Sequence, residues 1–470
     1  MFERLDASRS LTANQCKIVA AAMLGDMLEF FDYYLIGFVL AFIVKPWQLT
    51  WGESAVILLS SGIGAILGAG FWGWLADRIG RRKVFMATVI NFSLATGALA
   101  LTPDHGWLYL CAFRFLVGLG VGGLYCVDLP LVQEFMPVSR SGLIGGLVTC
   151  CIPIGVMTGS LLSGYLGEEV GWRGLFAVGL LPAALTLLIR AWVPESPRWL
   201  MRMGRPEEAR QSLAWALQVA PESLTLPTVA RGPVKHAAWT DLFHYPRSVI
   251  ASWVPNLGCQ TATYGIQLWA PTLFMLQLGV SAADAAKAFV WVAVSGFLGR
   301  IAFSALSESI GRRASGALIG LGGAAFVIAA GLFHDAVLGT VSLFWLFIVF
   351  GEFFYSGGFA IVGPYSAEVW PAHLRTTGMG SAYGFGGIGK IIGPLGLALI
   401  VGSSDVIKPQ VSLDAIMPAF LYFGAWLVVA GLAYAVFGIE TKGRSIEAID
   451  GDLRATVPAS VGLTQAMRTK

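Results

Sequence analysis

Charge is scarce in these 470 residues, at 13% against 56% hydrophobic, where a soluble domain carries about a quarter charged residues. That balance excludes a water-soluble globular chain and calls for lipid around it. Histidine is rarer still, five in all. All five fall in loops or at their edges, so no histidine-based metal set is expected. The six cysteines form no CxxC pair; Cys111, Cys126, Cys150, Cys151 and Cys259 lie inside apolar runs and Cys16 borders the first. Cysteine there acts as a small apolar residue, which sets aside a disulfide framework. The phosphate-cradling glycine loop is missing, which argues against ATP-driven pumping. No nucleophile, base and orienter come together in any apolar run, which argues against an enzyme. The net charge of +3 includes no basic cluster of the kind that holds nucleic acid, and nothing calls for a cofactor.

What the chain has instead is length in its apolar runs. About 20 residues cross about 30 Å of hydrocarbon at about 1.5 Å per residue. Such runs recur at 18–44, 53–75, 84–102, 107–133, 142–167, 174–193, 248–277, 285–306, 314–333, 341–365, 376–401 and 414–438. Twelve transmembrane helices are expected, and the 58 glycines suit helices whose backbones touch. The first run is too long and too acidic for a signal peptide, so the N-terminus is expected to stay attached. Alternating loops place 23 of the 31 basic residues on one side, with the tails and the 194–247 loop. Only Lys45, Arg173, Lys287 and Lys408 fall on the other side. By the positive-inside rule the basic side, with both termini, faces the cytoplasm of an inner membrane. Arg114, Arg190, Arg300 and Lys390 fall inside spans; Arg190 and Arg300 lie near span ends, where long side chains reach for water.

The chain repeats itself. Asp77-Arg-Ile-Gly-Arg-Arg82 matches Glu308-Ser-Ile-Gly-Arg-Arg313, and Glu134-Phe-Met-Pro137 with Arg140 matches Glu368-Val-Trp-Pro371 with Arg375. Pro194-Glu-Ser-Pro-Arg198 matches Glu440-Thr-Lys-Gly-Arg444. The three offsets are nearly equal and in order, as internal duplication produces. The reading is a six-helix bundle over 1–195, a linker over 196–247, a second bundle over 248–440 and a tail over 441–470. In the linker, 205–217 has Pro near a helix start, acids in the first turn and apolar residues at helical spacing, so an amphipathic helix is expected there.

At these motifs the chain resembles the major facilitator superfamily, and within it the sugar-porter, aromatic-acid and metabolite:proton symporter branch. Glu308 and Ser309 stand where the second-half signature has Asp and Arg. The resemblance implies alternating access, with Asp77, Arg81, Arg82, Glu134 and Arg140 in a gating charge network. Glu308, Arg312, Arg313, Glu368 and Arg375 would repeat that network in the second half.

A charge inside a span costs about 2.5–3.5 kcal/mol on insertion scales and needs a partner or a cavity. Asp26, Glu29 and Asp32 are spaced three apart along one flank of the first span. Counting about 1.5 Å per residue puts Asp32 and Arg114 at nearly the same depth, so the arginine is expected to partner Asp32. Such a pair either couples protons, as the guanidinium leaves and a proton replaces it, or is a static tie between spans. Arg114 with Asp128 in the fourth span is similar to the arrangement in aromatic-acid:proton symporters, with Glu29-Phe-Phe-Asp32 replacing the Asp-Gly-x-Asp form. Asp26 and Asp128 are shared between coupling and gating.

Lys390, in Gly386-Gly-Ile-Gly-Lys390-Ile-Ile-Gly-Pro394, is expected either to hold a substrate carboxylate or to pair with Glu352. Gln260, Tyr264 and Gln267 keep helical spacing on one face of the seventh span; with Tyr33, Glu352, Arg114 and Lys390 they make up the expected substrate-contacting set, Arg114 and Lys390 for the anionic group. The expected protein is a monomeric secondary transporter in a lipid bilayer, importing a small organic acid, aromatic or aliphatic, with protons. A sugar or polyol porter and an organic-cation carrier are the alternatives; a transporter-like receptor would need a longer tail than 451–470.

Overall fold

The computed structural model describes residues 2–6, 8, 10–137, 144, 147–181, 184, 192–225, 239–371, 374–407, 409–444, 449 and 451–453. Of these, 3, 124–126, 128–130, 376 and 409–414 are described by backbone alone. Arg140, Arg190 and the side chains of Asp128 and Cys126 lie outside the described residues. The remaining five cysteines are free thiols.

The chain is helical nearly throughout. In order come α1 (Ala13–Ile43), α2 (Trp51–Ile79), α3 (Arg81–Leu99), α4 (Trp107–Glu134), α5 (Ile152–Val178), α6 (Pro206–Leu217), α7 (Pro246–Gln277), α8 (Ala282–Ile310) and α9 (Arg312–Leu332). After them come α10 (Leu343–Gly357), α11 (Phe359–Glu368), α12 (Arg375–Gly387), α13 (Gly389–Val401) and α14 (Pro409–Phe437). The tenth and eleventh expected spans are thus each built from two abutting helices. α5 runs through Gly171, whose φ of 67° is non-helical; this glycine divides the fifth span from the start of the sixth. Among the described residues, seven segments are long and apolar enough to cross a membrane unaided. A short exposed hairpin, β1 (Val337–Leu338) with β2 (Val341–Ser342), joins α9 to α10 around Gly339, an addition that no strand pattern in the sequence announces.

Helix starts follow local chemistry. Thr12 with Gln15 and Thr50 with Glu53 form capping boxes on α1 and α2, satisfying N–H groups that a first turn leaves open. α6 has the expected proline and acids at its start and ends on Gln218 in the left-handed region. Its apolar side, with Leu213, Ala214 and Leu217, packs with Leu5 from the N-terminal segment and Leu224. Ala209 packs with Trp199 and Leu200.

The chain divides into two compact units. The first is Met1–Gly232 with Gln267–Val294 and Gly402–Lys408; α1 to α6 therefore share it with the end of α7, the start of α8 and the loop before α14. Inside this unit, Thr50 and Val406 form a β-bridge. The Gly52 N–H donates to Ser403 O at 2.8 Å and the Trp51 N–H to Asp405 O at 3.0 Å, while the buried Trp51 ring meets Trp269 at 5.0 Å. Lipid gives apolar helices no reason to associate, so close backbone approach must supply the attraction. Gly64 and Gly68 of α2 lie against the α4 backbone at Phe115 and Leu119, and Gly118 and Gly122 of α4 lie against Ser61 and Ala65.

The second unit, Pro233–Ile266 with Ser295–Val401 and Pro409–Lys470, repeats the device. Gly299 of α8 lies against Phe353, and Gly357 against Gly299. A Cβ at Gly122 would collide with backbone, whereas one at Gly70 meets nothing within 4 Å. Gly122→Val should therefore lower stability by at least the about 1–3 kcal/mol typical of overpacking, while Gly70→Ala leaves it unchanged. Thermal transitions in detergent would check this; equal transitions would contradict the packing.

Candidate transport site and gating networks

α1 carries its three acids fully inside the first unit: Asp26 and Asp32 are 0% exposed and Glu29 1%. Arg114 of α4, also 0% exposed, meets α1 at the expected depth, but through the main chain. Its Nη1 donates to Asp32 O at 3.2 Å and its Nη2 to Tyr33 O at 2.8 Å. Nη2 also donates to Ser61 Oγ at 3.0 Å, and the guanidinium lies 5.7 Å from the Tyr33 ring centre. A carbonyl has two lone pairs, so each of these oxygens can serve its helix and Arg114 together. The hydrogen bond to the Asp32 carboxylate comes instead from Thr96 Oγ1 of α3. The sequence placed the two charges together but gave no sign of Thr96 or Ser61, since single hydroxyls are common in apolar helices.

In the second unit, Lys390 of α13 is 9% exposed, and its Nζ lies 4.9 Å from the centre of the Tyr264 ring on α7. The glycines around it bring α12 and α13 onto α7: Gly386 faces Asn256 and Gln260, Gly389 faces Thr261, and Gly393 faces Thr261 and Gly265. Their role is helix contact rather than the approach of backbone to a ligand. Gln260 is 1% exposed, and both polar atoms of its amide lack a hydrogen-bond partner among the described residues. One turn earlier, Asn256 donates to Ser366 Oγ at 2.8 Å. Trp253 stacks on Phe385 at 4.8 Å and donates to Ser381 Oγ at 2.9 Å. Gln267 falls in the first unit, 7% exposed. Glu352 of α10 is buried beside Gly296 and Ser356. Arg300, expected to reach for water, is instead 5% exposed, with its guanidinium 5.2 Å from the Phe359 ring centre.

The basic loops hold two copies of one arrangement. In the first unit, Arg81 Nε lies 3.1 Å from Glu134 Oε1, and Asp77 Oδ1 lies 4.0 Å from Arg81 and 3.8 Å from Arg202. Ser196 Oγ donates to Glu134, and the Glu195 carboxylate accepts the Arg82 N–H at 3.1 Å. In the second unit, Arg312 lies 2.7 Å from Glu308 and 3.5 Å from Glu368. Thr441 Oγ1 donates to Glu368 at 2.5 Å, and Glu440 accepts the N–H groups of Arg312 and Arg313 at 2.9 and 3.2 Å. α3 and α9 both begin at a glycine of positive φ, Gly80 at 110° and Gly311 at 95°, with no side-chain cap of their own. The distant glutamate supplies the missing acceptor at the positive end of the helix. The repeated motif contained Glu195 and Glu440, but only the fold shows that they cap. Arg375 opens α12 and forms no ion pair among the described residues.

Burial would raise the Glu440 carboxyl, but N–H groups from Lys442, Arg312, Arg313 and Thr441 outweigh it and hold it below the ordinary value. A depressed folded value contributes stability above the unfolded carboxyl value and loses it as pH falls through the folded one. Protection of the Arg312 and Arg313 amides, exchange measured against the intrinsic rate at each pH, should therefore fall selectively on acidification through that range. Protection there that holds while Glu440 is protonated would contradict the cap.

A family model described as sugar (and other) transporter matches residues 17–453. The chain belongs to that family. The chain of this transporter is 32% identical to the niacin transporter NiaP of Acinetobacter baylyi, over 91% of its own length and 94% of the relative's. It is 24% identical to the cis,cis-muconate transport protein of the same organism, over 89% and 91%. Its fold resembles the partially occluded, inward-open xylose transporter XylE from E. coli, with a TM-score of 0.70, 20% identity and coverage of 92% of this chain and 100% of that one. The transporter thus has the major facilitator fold, twelve transmembrane helices in two six-helix bundles, and is a multi-pass membrane protein that moves small molecules rather than an enzyme.

Proposed function

We propose that this transporter imports a small organic carboxylate together with protons, by alternating access, as a monomer in an inner membrane with its basic loops in the cytoplasm. The observation that carries the reading is Lys390, nine-tenths buried and held over the Tyr264 ring. A positive charge set beside an aromatic ring and a polar face of α7 is chemistry that a carboxylate can use, through a charge-assisted hydrogen bond to the ammonium. Tyr264, Gln260 and the Trp253–Phe385 stack, with Glu352 in the same unit, suit a planar or ring-bearing substrate; Gln267 and Tyr33 are the substrate-contacting candidates of the first unit. Niacin and cis,cis-muconate, named for two relatives, are both small carboxylates, which supports this class.

Asp32 is the proton carrier in this reading. Arg114 holds the main chain at Asp32 and Tyr33 and places a positive charge near the carboxylate, a field that rearrangement can weaken. Glu29 stands one turn away, and Asp26 and Asp128 serve either this coupling or the gate. The networks of Arg81 with Asp77 and Glu134, and of Arg312 with Glu308 and Glu368, act as the gate: contacts that form in one state and break in the other. Arg82, Arg140, Arg313 and Arg375 belong to the same gate.

Uptake by the purified, reconstituted protein of labelled nicotinate, muconate, benzoate, xylose and choline, with and without an imposed pH gradient, tests the reading. Gradient-driven accumulation of a carboxylate is expected. Gradient-independent uptake of xylose, or choline as the preferred substrate, would overturn it.

A further inference from the structure

A hydroxyl in an apolar helix ordinarily donates to a carbonyl one turn back in its own helix. Ser60 does so to Ile57 O at 2.8 Å, Thr88 to Phe85 O at 2.7 Å and Thr102 to Leu99 O at 2.6 Å. Thr96, on the same helix as Thr88, instead donates across the bundle to Asp32 Oδ2. A hydroxyl has one hydrogen, so donation to Asp32 and donation to its own helix exclude each other.

The placement is enforced. Thr96 is 0% exposed, and Gly179 lies against it so closely that a Cβ there would strike the Thr96 methyl. A β-branched side chain pinned by its methyl keeps its hydroxyl direction. The other oxygen, Asp32 Oδ1, has no hydrogen-bond partner among the described residues, and the Nη donors of Arg114 go to main chain and Ser61.

We propose that Thr96 is the positioning residue for proton exchange at Asp32, an inference that rests on Asp32 being the proton carrier. With Asp32 ionised, Thr96 donates to it. When a proton binds Oδ2, the new carboxyl O–H donates to Thr96 Oγ1, and the threonine hydrogen turns to a carbonyl one turn back, as in its neighbours. One proton has been added to Asp32, none has been lost from Thr96, and both groups stay bonded in both states. Valine of similar shape at 96 would leave Asp32 Oδ2 without this partner. The titratable groups near the spot are Arg114 from α4, Tyr33 on α1 and Glu29 one turn before Asp32 on α1; α2 contributes Ser61, and Cys151, the residue before α5, lies toward Asp26.

Infrared difference spectra of the purified transporter between acidic and alkaline buffer test this without knowledge of the substrate. A carboxylic C=O band that Asp32→Asn removes is expected. In Thr96→Val its titration midpoint should move by about one to two pH units, the size of a hydrogen bond to a charged group, and Thr96→Ser should bring it back. If the Asp32-dependent band is absent from the unmodified protein, Asp32 is not the proton carrier and the functional reading fails. If the band is present and titrates identically in Thr96→Val, the role of Thr96 alone fails. Should Thr96→Val not fold, Thr96→Ala and Thr96→Ser decide: a midpoint that does not distinguish these two overturns the proposal.

Discussion

Replacing Arg114 with methionine is expected to destabilise the transporter by about 3–5 kcal/mol, the cost of removing one partner from a buried charge cluster. Three groups lose their donor at once: the carbonyls of Asp32 and Tyr33 and the Ser61 hydroxyl. The Asp32 carboxylate also loses the cation that offsets its burial. Arg114→Lys should not restore the protein, because an ammonium on a flexible stem cannot reproduce a planar fork reaching two carbonyls and a hydroxyl. Removing both charges with Arg114→Met and Asp32→Asn should recover part of the loss, since coupled sites are not additive. Thermal transitions of the purified variants in detergent give the answer. A single variant Arg114→Met that melts with the unmodified protein would show that the guanidinium does not hold α1.

Lys390→Gln is expected to leave folding intact and to raise the half-saturating concentration for a transported carboxylate about 10- to 100-fold. That range is the worth of a hydrogen bond to a charged group expressed as affinity. The amide keeps much of the side chain's length over Tyr264 but removes the charge, so the loss should be confined to anionic substrates. Kinetics of nicotinate and muconate uptake in proteoliposomes would measure it; unchanged half-saturation for every carboxylate carried would remove Lys390 from the substrate site.

Most of the architecture was legible because it follows from length and hydropathy: a bilayer fixes how long a run must be, and among the described residues the helices begin and end close to those runs. The duplication was legible because charged loop motifs stand out against apolar sequence. The approach of Asp32 and Arg114 could be reached by counting rise along two spans. Counting could not tell that the guanidinium would choose carbonyls over the carboxylate, because that depends on side-chain direction within about an ångström. Thr96 was hidden for a similar reason: its importance comes from Gly179 closing off its methyl, a contact between residues 83 positions apart. The glycines near Lys390 were visible as a cluster, but whether they admit a ligand or a neighbouring helix is a property of packing alone.

The glutamates that close the starts of α3 and α9 accept from peptide nitrogen. Those bonds depend on the shape of the chain after Gly80 and Gly311 and on a backbone N–H, which every residue but proline supplies. Drift at positions 82 and 313 should leave the two junctions standing, whereas any side chain at either glycine would intrude on the carboxylate and force a backbone twist that only glycine accepts readily. In both units the joint between two consecutive helices is thus fixed by a glycine and a carboxylate together, and altering either one leaves the other without its fit.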